Sequence, residues 1–228
     1  MKLKSFGCSF VFGTDLPDDG RFGPLATPSH CSYPALIARA RGLEYICYAR
    51  PGAGNFEILS QLIEQIARND PAVYVINWTW IDRFSYIDKN KSTGLHPFNP
   101  HGWHSIMPID TGLTAEVYYR DLHSQLRDKI ESLICISSAI DCLQKNHCQF
   151  IMTWTDSLLW EQEWHCPVLI RWLQQKTSSY VSSFQGDSFL NWSRKNGFDI
   201  SSTMHPLEAA HQAAADMILT NWHSYLKN

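Results

Sequence analysis

Leu3-Lys4-Ser5-Phe6-Gly7-Cys8-Ser9-Phe10-Val11-Phe12-Gly13 is the stretch whose reading decides the fold. Leu3–Phe6 has strand character and runs into a glycine turn, followed by a short apolar segment. A serine at such a strand-to-helix junction can present its oxygen outward while its own N–H points at a bound anion. Helix N-termini leave their first N–H groups unpaired and carry partial positive charge, which suits a developing oxyanion. The same residues also describe a plain Gly/Ser turn in which Ser9 caps a helix. Neighbours on an extended chain point to opposite sides, so Cys8 competes poorly with Ser9 as a nucleophile.

Outward from this stretch, apolar runs alternate with longer amphipathic ones. Tyr33–Arg41 has helical spacing and stops at Gly42. Glu44–Ala49 reads as a second strand, closed by Arg50-Pro51-Gly52-Ala53-Gly54. Asn55 then opens a helix that carries Ile58, Leu62, Ile63 and Ile66 on one face. Val73–Trp78 is a third strand after the Asp70-Pro71 break, and Gln149–Trp154 a fourth. Thr114–Gln144 holds one long helical pattern or two joined ones. Pro206–Leu226 is helical, with Leu207, Ala210, Ala214, Met217, Ile218 and Tyr225 along one side. Pro206 suits a first helical turn and so places His205 at the helix entry.

Strands separated by helices need crossover connections and a mostly parallel sheet covered on both faces. The predicted fold is therefore α/β: a three-layer α/β/α sandwich, flavodoxin-like, of about five mostly parallel strands, forming one domain over 1–228. Ligands bind such sheets at the carboxyl ends of the strands, here around Ser9, Gly54 and Thr79. Residues 80–113 show no sustained periodicity but are rich in Gly, Pro, His and aromatics, which reads as a loop insertion able to act as a lid.

Composition narrows the function classes. Lys and Arg are scattered and the net charge is −3, so the basic stripe that a phosphate backbone demands is missing and nucleic acid is not an expected partner. The seven cysteines are odd in number and lack C-x-x-C spacing, which fits neither a disulfide framework nor a zinc site. Most of them read as small buried hydrophobes in a reducing compartment. The N-terminus has no apolar signal region and no segment reaches the ~20 apolar residues of a membrane span, so a cytoplasmic location and no membrane partner are expected. A nucleotide binder is disfavoured, because no G-x-x-x-x-G-K-[ST] loop is present. His96, His101 and His104 lie in the aromatic loop without a matching Asp or Cys cluster, so no metal is expected.

Three blocks in order resemble a known pattern. Gly7-Cys8-Ser9-Phe10 looks like the first block of the SGNH/GDSL hydrolases, with Cys where the name-giving motif has Asp. Pro51-Gly52-Ala53-Gly54-Asn55 is similar to the second block, whose glycine N–H helps form the oxyanion hole. His205-Pro206, followed by Ala210-His211 and Ala214, resembles the fifth block and its helix. The resemblance implies a serine hydrolase that cleaves an ester or O-acetyl group without a cofactor. It makes Ser9 the nucleophile and His205 the base, with the oxyanion held by the N–H groups of Ser9 and Gly54.

Two family positions are unmatched. The third block normally supplies an asparagine amide to the oxyanion hole, yet here the strand runs Ile76-Asn77-Trp78-Thr79-Trp80-Ile81-Asp82-Arg83. Asn55 is the preferred substitute and Thr79 the second choice, while Asn77 is expected to point away; Asn55 could equally be a helix cap. The family's Asp-x-x-His appears as Ser202-Thr203-Met204-His205, so Ser202 becomes the candidate that orients the imidazole. Asp199 could serve only if the loop folds back, and a Ser–His dyad is the simplest expectation.

Trp78, Thr79, Trp80 and Arg83 are the expected substrate contacts, Arg83 gripping a carboxylate or phosphate unless it forms a surface ion pair. Phe84, Tyr86, Phe98 and Trp103, with Trp154, Trp160 and Trp164, would make a stacking wall for a sugar ring or short acyl chain if they face the serine. The expected substrate is a small-molecule ester or an acetylated carbohydrate. The rival reading is a catalytically decayed scaffold of the same fold that binds a glycan or protein partner. The sequence does not fix the oligomeric state.

Overall fold

The computed structural model describes residues 1–21, 26–88, 101–162 and 167–228. In chain order the first half holds β1 (Lys2–Phe6), α1 (Ser9–Phe12), α2 (Tyr33–Ala40), β2 (Glu44–Cys47), α3 (Asn55–Ala67) and β3 (Ala72–Trp78). There follow β4 (Phe84–Ile87), β5 (Trp103–Ile106), α4 (Leu113–Val117), α5 (Gln125–Lys145) and β6 (Gln149–Trp154). The chain closes with α6 (Pro167–Thr177), α7 (Phe189–Lys195), α8 (Glu208–Thr220) and α9 (Trp222–Tyr225).

The four apolar runs become one parallel sheet in the order β2-β1-β3-β6. Their residues alternate faces with period two. Leu3, Val73, Val75 and Ile151 meet α2 and α8, whereas Phe6, Tyr74, Ile76, Trp78, Phe150 and Met152 meet α3, α5 and α6. Each such large apolar side chain, once buried, contributes about 1.5–3 kcal/mol. The result is the three-layer α/β/α sandwich.

Four strands build the sheet among the described residues, where about five were expected. At the fifth position the chain makes only a bridge, Met152 to Val181, with Ser182 N–H donating to the Met152 carbonyl at 2.8 Å. Gln185 and Gly186 then take positive φ of 54° and 91°, which turns the backbone away before a ladder can extend. In α3, Leu59 is buried and Ile63 is 39% exposed, so the apolar face is rotated by one position from the expected one. The 114–144 pattern resolves into α4 and α5, joined through a single π-helical turn at Tyr118–Leu122.

The expected lid contains a β-ribbon. β4 and β5 pair antiparallel, and Ser85 and Ser105 bridge them at 2.9 Å. Arg50 forks onto the fully buried Glu57 at 2.7 and 2.6 Å and also donates to Ser105 at 3.1 Å, which ties the ribbon to the 50–54 turn and to α3. Phe84 stacks on Tyr118 at 4.3 Å and joins Ile106, Ala115 and Tyr118 in a satellite core, while Trp103 meets Phe56 of α3 at 5.9 Å. His96, Phe98, Trp164 and Cys166 lie outside the described residues. His101 pairs with Glu64 at 2.7 Å and His104 packs beside Tyr86. None of the described helices is long and apolar enough to cross a membrane.

Candidate active site

Ser9 is the first residue of α1, directly after β1. Cys8 is the N-cap residue of that helix and is fully buried in the core, while Ser9 keeps slight exposure. α1 lasts one turn because Gly13 adopts φ 83°, and a Cβ there would meet Ser29 Cβ at 2.6 Å. Asp15, itself at φ 68°, then turns back toward the strand ends. A non-glycine residue in this left-handed region is uncommon, and Asp is among the residues that tolerate it.

The partner of Asp15 arrives from the other end of the chain. Residues 199–207 form a narrow hairpin in which Ser201 N–H donates to the His205 carbonyl at 2.8 Å and Leu207 N–H to the Asp199 carbonyl at 3.0 Å. Pro206 lies within this hairpin, bridged to Ile200, and Leu207 is the N-cap of α8. Pro206 therefore does not start the helix, and His205 projects from a loop that precedes it. The His205 ring stands edge-on to Phe10, the residue after Ser9, at 5.6 Å and 84°.

His205 Nδ1 lies 2.8 Å from Asp15 Oδ2. Asp15 also accepts from Ser201 Oγ at 2.6 Å, from Thr203 Oγ1 and from Arg21. Burial alone would raise the Asp15 pKa, but the hydrogen bonds from Ser201, Thr203, His205 and Arg21 hold it well below the usual carboxylate range. Burial pushes the His205 imidazole below its ordinary value, Asp15 opposes that, and the charges of Arg21 and Arg83 add to it. The ring is thus held by an ionised carboxylate and stays neutral to lower pH than a free histidine. Ser202 does not orient it: that side chain is exposed at the hairpin tip, and the Nδ1 partners are Asp15 and Thr203. Asp199 is exposed too, although its loop folds back.

The opposite flank of Ser9 is the 50–54 turn and the end of β3. The N–H groups of Ser9 and Gly54 donate to nothing among the described residues. Gly54 is required by close approach, since a Cβ there would run into Ser85 Oγ and come within 2.9 Å of the Arg83 carbonyl. Asn55 cannot act as the third oxyanion donor in this arrangement. Its amide donates to the Thr79 carbonyl at 3.3 Å and to Ser132 Oγ at 3.0 Å, while its oxygen accepts from Thr79 N–H at 2.8 Å. Both amide protons are engaged, and the residue clamps the end of β3 to α5.

The expected substrate contacts divide. Trp78 and Thr79 are 0% exposed and belong to the interior, Trp78 within the core between the sheet and the α3–α5–α6 layer. Asn77 pairs with Thr153 at 2.9 Å and Thr155 at 2.9 Å inside the sheet. Trp80 is half-buried against Phe10 at 5.5 Å, and Arg83 lies over the Trp80 ring at 4.6 Å while donating to the Ala53 carbonyl at 3.1 Å. Trp154 and Trp160, 6.4 Å apart, line a separate cleft of about 470 Å³ beside Val181 at the far edge of the sheet.

The residue that sequence reasoning missed is Asp15. The family spacing points to an acid before His205, whereas the carboxylate on its Nδ1 lies six positions after the serine, in the Gly13-Thr14-Asp15 turn. An acid directly after a one-turn helix that a glycine must end was the available signal.

No protein-family model and no curated protein matches this chain in sequence. Solved structures do match in shape. A member of the lipolytic G-D-S-L family from Veillonella parvula is 13% identical, with 96% of this chain and 97% of that one covered at a TM-score of 0.50. A catalytic mutant of an acetylxylan esterase from Geobacillus stearothermophilus is 14% identical, with 96% and 92% covered at 0.52. The protein TesA is 12% identical, with 96% and 97% covered at 0.52. The likeness is one of fold, and it extends over nearly the whole chain.

Proposed function

We propose that this chain, which carries the GDSL/SGNH fold, is a serine hydrolase that cleaves an ester or O-acetyl group. The observation that supports it most is the 2.8 Å contact between Asp15 Oδ2 and His205 Nδ1, because it supplies the acid that the sequence pattern lacks. Ser9 Oγ attacks the carbonyl carbon as His205 Nε2 takes its proton. The tetrahedral oxyanion is held by the N–H groups of Ser9 and Gly54, and its collapse expels the alkoxide, which receives the proton from His205. Water then attacks the acyl-enzyme with His205 again as base, releasing the acid and free Ser9. Asp15 keeps the imidazole in the tautomer with Nδ1–H and stabilises the imidazolium in passing. Asp15 thereby replaces Ser202, and the site works as a triad rather than a dyad.

Carbohydrate esterases among the fold neighbours support an acetylated carbohydrate or a related small ester as substrate. A decayed scaffold is the weaker reading, since nothing in non-catalytic binding calls for an ionised carboxylate on the Nδ1 of this histidine. A fluorophosphonate probe should label Ser9 stoichiometrically, and Ser9→Ala should lose both the label and the turnover of p-nitrophenyl acetate. A folded wild-type protein that takes no label would sink the hydrolase reading.

A further inference from the structure

Three arginines stand around the strand ends, and two of them are neutralised. Arg21 is paired with Asp15 and Asp19. Arg50 is forked onto Glu57. Arg83 is different. Its Nη1 donates to the Ala53 carbonyl at 3.1 Å and its guanidinium covers the Trp80 ring at 4.6 Å, and among the described residues it pairs with no carboxylate. Nε and Nη2 therefore have donors to spare. A guanidinium stays charged at any ordinary pH and offers donors in a fixed fork that matches a carboxylate or phosphate.

Its position is as informative as its charge. Ala53 immediately precedes Gly54, Trp80 lies against Phe10, and Phe10 carries both Ser9 and the His205 ring beside it. The half-buried Arg83 thus sits on the rim of the serine site, on the Gly54 side, near enough for its charge to bear on His205 and on Asp82. An unpaired cation held there by a carbonyl and an aromatic face is pre-organised and costs little further ordering when a ligand binds. A structural role would be complete with an acidic partner, as for Arg21 and Arg50.

We propose that Arg83 binds a carboxylate or phosphate carried by the substrate, so that the preferred substrates are esters of anionic molecules. The inference rests on the hydrolase reading above and narrows it. The test compares 4-acetoxybenzoate and 4-acetoxyphenyl phosphate with the neutral methyl 4-acetoxybenzoate. Wild-type kcat/KM should favour at least one charged ester by about ten- to hundred-fold, the range of a hydrogen bond to a charged group, and chiefly through KM. Which ester gains more tells carboxylate from phosphate. Arg83→Gln should bring the charged-to-neutral ratio close to one, and Arg83→Lys should keep part of it by retaining the charge without the fork. A wild-type ratio at or below one overturns the proposal, and so does an Arg83→Gln ratio equal to wild type, which would make the arginine purely structural. If Arg83→Gln does not fold, the Lys variant carries the test alone, with an unchanged ratio as the overturning result.

Failure of the hydrolase reading shows separately, as absence of the Ser9 label. In that case calorimetric titration of 4-hydroxybenzoate against its methyl ester reads the same site without turnover. Selective binding of the acid, lost in Arg83→Gln, supports the anion site, and equal or absent binding overturns it.

Discussion

On one flank of Ser9 an acid and a base, 190 residues apart in the chain, meet at 2.8 Å within a knot of four donors around Asp15. On the other flank the residue that looked like a catalytic amide, Asn55, is spent on the backbone of Thr79 and on Ser132, and the rim is left to Trp80 and Arg83. One flank thus pairs His205 with a carboxylate that no motif announced, while on the other the N–H groups of Ser9 and Gly54 stay without an acceptor among the described residues and the Asn55 amide goes to structure. The difference teaches that a polar residue next to a candidate nucleophile is assigned by where its lone pairs and protons already go.

The comparison breaks most visibly at Asp15. If Asp15 holds the imidazole tautomer and stabilises its charged form, Asp15→Asn should lower kcat by about 10²–10⁴-fold, by analogy with the loss of a triad acid elsewhere. Ser202→Ala should stay within about twofold in the same steady-state assay, since an exposed surface substitution away from special contacts has little effect. Equal losses in the two variants would return Ser202 to the site.

On the oxyanion flank, Gly54→Ala adds a methyl where the Arg83 carbonyl lies 2.9 Å away and so displaces the Gly54 N–H. Removal of one oxyanion donor typically costs about 10²–10³ in kcat, and single-turnover acylation of Ser9 should fall by that order. Asn55→Ala should instead show itself in stability. It strands the buried Thr79 N–H and carbonyl, a loss of about 1–3 kcal/mol readable as a shift of the denaturant midpoint. If its kcat falls by more than its folded fraction explains, Asn55 belongs to the oxyanion flank after all.

The smallest effect separates two histidines on either side of Leu207. His211 is fully buried, stacks on Tyr33, and its Nδ1 accepts from Tyr33 N–H at 3.0 Å. Burial first, and then the nearby His205, push its pKa down to about 3. Because the folded value lies below the unfolded one of ~6.5, the unfolded chain binds more protons between them and stability falls as pH drops through that window. Chemical denaturation at stepped pH should show this acid slope, and His211→Asn should flatten it. The fall in kcat/KM at low pH, set by His205, should remain in that variant.

The fold was legible because its signals are local and periodic. The β1, β3 and β6 runs and the amphipathic α3 and α8 are recognisable within windows shorter than 20 residues, and the serine and glycine turns follow directly from them. What sequence could not carry were the pairings that cross the chain. Asp15 on His205 and Asn55 on Thr79 are decided by how turns fold over one another, and no spacing encodes them. Trp78 and Thr79 misled for a related reason: a strand end looks the same in sequence whether its side chains face the ligand or the core. The missing fifth strand is a matter of backbone angle at Gln185 and Gly186, where one turn ends pairing after a single bridge.

The seven-residue segment from Ser9 to Asp15 bears on the order in which the parts of the candidate site come together. Ser9 and Asp15 are neighbours in sequence and lie on the same turn of backbone, set by the one-turn α1 and Gly13. Only the histidine has to travel, and its docking closes a loop of 190 residues at an entropic cost that grows only logarithmically with length. Synthesis from the N-terminus therefore produces Ser9 and Asp15 long before His205 exists. On the hydrolase reading proposed above, the site is completed late, when the 199–207 hairpin seats on Asp15.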